Sequence, residues 1–67
     1  MIKGEIGEAA GAVWRYLDTH GETTVTKLKQ GIGLADPVLL MAIGWLAREG
    51  KIGLSRDKRT IKVRLDA

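Results

Sequence analysis

The chain has 67 residues, 45% of them hydrophobic and 28% charged, with one proline, one histidine and no cysteine. That length suits one domain with a radius of gyration of roughly 11 Å; disulfides and thiolate metal sites are excluded, and a single histidine cannot build a zinc site. The net charge of +3 is uneven: residues 1–50 carry five basic against six acidic side chains and residues 51–67 six against two, so a local excess of +4 lies in the last quarter.

The first element is expected over residues 6–19. Ile6, Ala10, Val13 and Leu17 recur at helical spacing, Glu5 and Glu8 suit the positive end of a helix dipole, and Gly21 suits a stop after His20. Gly7 and Gly11 each cost a helix roughly 1 kcal/mol relative to alanine, which the close approach of another backbone would explain. A second helix is expected over 25–32. Thr24 stands as its N-cap, Leu28 and Ile32 face inward, and Gly33 supplies a turn through positive φ. Asp36-Pro37 reads as an N-cap followed by proline at the first helical position, so a third helix is expected over 37–49 with Gly50 as its stop. After Gly50 the period changes from 3.6 to 2. Ile52 and Leu54, then Ile61, Val63 and Leu65, alternate with polar residues around Arg56-Asp57-Lys58-Arg59. This predicts a β-hairpin over 51–55 and 60–65 with one face on the core.

The order is α+β: three helices, the second joined to the third by a glycine turn, then a C-terminal two-stranded hairpin. It resembles a winged helix-turn-helix domain over essentially the whole chain. The carriers are TVTKLKQGIGL (24–34), like the helix-and-turn half of such proteins, and AIGWLAREGKIGL (42–54), like a third helix running into the first wing strand. AGAVW (10–14) and GWLAREGKI (44–52) also resemble a group of small prokaryotic winged-helix proteins of unassigned function.

The resemblance implies contact with duplex DNA and a regulatory or accessory role in transcription. Base reading by a third helix needs hydrogen-bonding side chains early in it. This chain has Asp36-Pro37-Val38-Leu39-Leu40-Met41 there, so sequence-specific reading is not expected. Phosphate contacts fit better. Lys51, Lys62 and Arg64 are expected on the solvent face of the wing, Arg56, Lys58 and Arg59 at its tip, and Lys27 and Lys29 on the second helix. Like charges facing across the strands would gain from an anionic partner. A basic segment also guards a strand edge against pairing, and the two readings stand side by side.

On the third helix, Leu39, Ala42, Ile43 and Leu46 form the core stripe, and Val38, Met41 and Trp45 form a second. The second stripe either completes the core against the wing or meets another chain, as a homodimer or protein-partner interface. Whether Trp14 joins it is left open. No catalytic residue, cofactor or small-molecule substrate is expected: His20 reads as a helix-end residue, Tyr16 as half-buried, and Gly31 and Gly33 end a helix instead of opening one after a strand. With no run of 18 apolar residues and no signal-peptide core, neither a membrane span nor secretion is expected, and the location expected is the cytoplasm.

Overall fold

The structure is a computed structural model and describes residues 2–66. Helix α1 covers Ile2–His20, strand β1 Thr23–Thr24, helix α2 Val25–Ile32, helix α3 Asp36–Arg48, strand β2 Ile52–Asp57 and strand β3 Thr60–Leu65. The fold is the expected α+β winged-helix arrangement, 34 × 23 × 20 Å with a radius of gyration of 10.8 Å.

Helix α1 begins four residues earlier than its apolar stripe predicts. Glu5 in its first turn favours the N-terminal end of the dipole, and nothing before Ile6 stops the helix. Ala10, Val13 and Leu17 are buried as expected. At the other end His20 donates through Nδ1 to the Tyr16 carbonyl at 3.1 Å and stacks on the Tyr16 ring with centroids 4.1 Å apart.

Thr24 caps α2, its hydroxyl accepting from the Lys27 amide at 3.1 Å. The helix stops at Gly33, whose φ of 75° is left-handed and whose amide returns to the Lys29 carbonyl at 2.8 Å. Across Gly33-Leu34-Ala35 the helix direction turns by 118°, the angle of a helix-turn-helix pair. Asp36 is not the cap of α3. Ala35 occupies that position in extended backbone and its methyl side chain offers no acceptor, while Asp36 is already the first helical residue and its carboxylate lies 2.7 Å from Lys29 Nζ. Helix α3 ends in a Schellman motif, the Gly50 amide donating to Ala47 and the Lys51 amide to Leu46.

The sheet order is β1-β3-β2, antiparallel throughout. β1 is an element that the alternation pattern missed, since two residues carry no period. It pairs Thr23 with Val63 and Thr24 with Lys62, fastening the start of α2 to the wing. The hairpin is longer than expected on its first arm, and the turn shrinks to Lys58-Arg59. Val13, Leu17, Leu28, Leu39 and Val63 form the centre of the core, each at most 2% exposed. The hairpin outruns that core: Leu54 and Ile61, expected against the helices, are 44% and 38% exposed.

Candidate nucleic-acid interface

The register sorts the wing's side chains. Ile52, Leu54 and Arg56 share a face with Ile61, Val63 and Leu65, and Gly53, Ser55 and Asp57 share the other with Thr60, Lys62 and Arg64. Arg56 is therefore a strand residue opposite Ile61, not part of the link. Lys62 stands opposite Ser55 and Arg64 opposite Gly53, so the expected confrontation of like charges across the strands does not occur.

The eight sequence-predicted cations fall into distinct places. Arg56, Lys58 and Arg59 are exposed at the tip around a two-residue turn. Lys58 has φ +58° and is the one non-glycine among the described residues with positive φ, the sign pattern of a II′ turn. Asp57, also at the tip, is engaged by Lys62 Nζ at 3.6 Å. Lys62 lies between Thr24 and Ser55 across the three strands. It meets Lys27 at a cleft of about 150 Å³ lined also by Glu22, Thr23 and Thr24. The wing root and the start of α2 thus bring together two cations that are far apart in sequence.

The remaining three stand elsewhere. Lys29 is turned to Asp36; both side chains are at least half exposed, so the pair adds about 1 kcal/mol or less to stability. The Arg64 guanidinium lies over Gly53, where an added Cβ would come within 2.6 Å of it. Lys51 lies beyond the wing's outer face, in a groove between α1 and α3 with Trp14, Trp45 and Asp66.

Helix α3 presents little that could read bases. Its exposed side chains are Asp36, Pro37, Leu40, Met41, Trp45 and Arg48, and only Arg48, in the last turn, is a donor of the base-reading kind. The second apolar stripe divides: Val38 is half-buried and packs against the core, while Met41 and Trp45 are 46% and 53% exposed. Trp14 is 40% exposed and joins Trp45 in the same groove. Sequence spacing missed two things, the diversion of Lys29 by Asp36 and the meeting of Lys27 with Lys62. An acidic residue just past a tight helix-turn signals the first, and only the β1 pairing reveals the second.

Among the described residues no three His, Cys, Asp or Glu side chains converge as a metal site. Nor is any single helix among them long and apolar enough to cross a membrane. Residues 1–65 match the model of the family described as "Winged helix-turn-helix domain (DUF2582)". The chain is also 35% identical over 65 residues to the "Uncharacterized protein MJ1608" of Methanocaldococcus jannaschii, covering 92% of this chain and 91% of that one.

Proposed function

The chain belongs to the DUF2582 winged helix-turn-helix family, and from that premise we propose that it binds duplex DNA through phosphates, without reading sequence, as a non-catalytic regulatory or accessory protein in transcription. The wing tip, Arg56, Lys58 and Arg59, makes the principal contacts, and Lys27 and Lys62 at the wing root make a second set. The observation that carries this reading is the tip itself. Three exposed cations surround a two-residue turn, while the nearby carboxylate, Asp57, is engaged by Lys62. Phosphate contact fixes position without sequence information, which agrees with a third helix whose exposed early residues are Asp36, Pro37, Leu40 and Met41.

The test is fluorescence anisotropy of a labelled duplex at several salt concentrations, with the parent and with Arg56, Lys58 and Arg59 all changed to glutamine. Each phosphate contact contributes about 0.9 to the slope of log K against log salt, so the triple variant is expected to lose close to 2.7 of it. An unchanged slope, or no binding by the parent at low salt, would retire the reading. Duplexes of unrelated sequence should bind within a few-fold of one another.

A further inference from the structure

Trp14 and Trp45 are the chain's two tryptophans, and both stand partly in water on one groove of about 780 Å³ between α1 and α3. Met41, one helical turn before Trp45, extends the same flank of α3. Taking roughly 250 Å² for a whole tryptophan, the two tryptophans, 40% and 53% exposed, leave about 230 Å² uncovered. A stable interface takes about 800 Å² from each partner, a little over half of it non-polar. The indoles alone supply close to half of that apolar share, and Met41 and the groove floor add to it.

The surface also has the means to complement itself. Beside the protruding indoles, α1 contributes Gly7 and Gly11 to the groove lining. A Cβ at Gly7 would meet nothing within 4 Å, and at Gly11 only the chain's own Arg15 side chain. This chain's packing therefore does not require glycine there, although each costs its helix about 1 kcal/mol. A knob and a floor that is open at Gly7, with the movable Arg15 side chain laid beside Gly11, are what a two-fold contact needs on one face, since each patch must fit its own copy. The charges agree. Arg15 and Lys51 stand at the groove with Asp66, so a copy turned about a two-fold axis has both signs to pair, whereas the cationic wing tip repels its own copy.

We propose that two copies of this chain associate about a two-fold axis through the α1–α3 face, each seating Trp45 over the Gly7–Gly11 segment of the other. Arg56, Lys58 and Arg59 do not line that groove, so the association is independent of the nucleic-acid reading and leaves the wing tips uncovered.

Sedimentation equilibrium of the full chain, up to hundreds of micromolar and with tryptophan emission recorded alongside, tests it. The parent is expected to approach twice its 7.3 kDa mass, with emission shifting to the blue as concentration rises. Gly7→Gln, which open space accommodates in the monomer, and Trp45→Glu are each expected to weaken association at least tenfold. Helical circular dichroism checks that each variant is folded, and Gly7→Gln decides alone if Trp45→Glu does not fold. A parent that stays at 7.3 kDa throughout overturns the association and leaves the face to a different protein. A dimer that survives Gly7→Gln overturns it equally, because the contact then lies elsewhere.

Discussion

Lys58 is where residue-level chemistry and the wing's proposed task pull apart. Its φ of +58° costs an L-residue with a side chain about 1–2 kcal/mol, and glycine is the residue such a turn ordinarily takes. Lys58→Gly is therefore expected to stabilise the fold by about 1 kcal/mol, read as a higher urea midpoint at unchanged slope. The same change should lower the salt slope of DNA binding by about 0.9. A destabilised variant would contradict the left-handed turn; an unaltered salt slope would contradict the phosphate contact. Gly33 is the converse. A Cβ there meets nothing within 4 Å, yet φ is 75°, so Gly33→Ala should cost about 1–2 kcal/mol from backbone strain alone, measurable in the same urea titration. Positions of this kind are the most legible from sequence. The Thr24 cap, the Leu28 core contact and the Gly33 turn each depend on neighbours a few residues away, and all three stand as expected.

For whole elements the sequence is a weaker guide, because an element's role depends on what crosses it. The alternation after Gly50 announces a hairpin, but only the register puts Arg56 opposite Ile61 and Lys62 beside Ser55. Leu54 and Ile61 obey the pattern of a core face and still stand partly in water, while Ile52 and Val63 on the same face are buried. β1 escapes altogether, its two residues becoming a strand only through Val63 and Lys62. The wing offers a test at this scale. Asp57→Asn removes the one carboxylate that holds Lys62 and raises the local charge by one. It should tighten DNA binding at low salt by removing a carboxylate that competes with phosphate for Lys62, while moving stability by about 1 kcal/mol or less, as an exposed pair allows. Weaker binding by this variant would mean that Lys62 needs Asp57 to be held in place.

At the scale of the molecule, a small core leaves little redundancy. Leu28 is fully buried in the cluster that joins α1, α3 and the sheet. Leu28→Ala should cost about 2–5 kcal/mol, against the roughly 3–5 kcal/mol that one core supplies in a domain of this size. Circular dichroism should then find much of the chain unfolded at room temperature. The architecture was legible from the order of periods, whereas the exposure of Met41 and Trp45 was not, since an apolar stripe reads alike whether covered or bare. The sheet order carries a kinetic consequence. The hairpin closes across Lys58-Arg59 and forms locally, but the Thr23–Val63 pair joins positions on either side of both later helices and bears the loop-closure cost of that whole interval. The β1 ladder is expected to close late in folding, and in hydrogen exchange its amides should open together with the helices, while those at the wing tip open alone and sooner. Saturating duplex DNA would then slow exchange at the tip and leave the rate at β1 almost as it was.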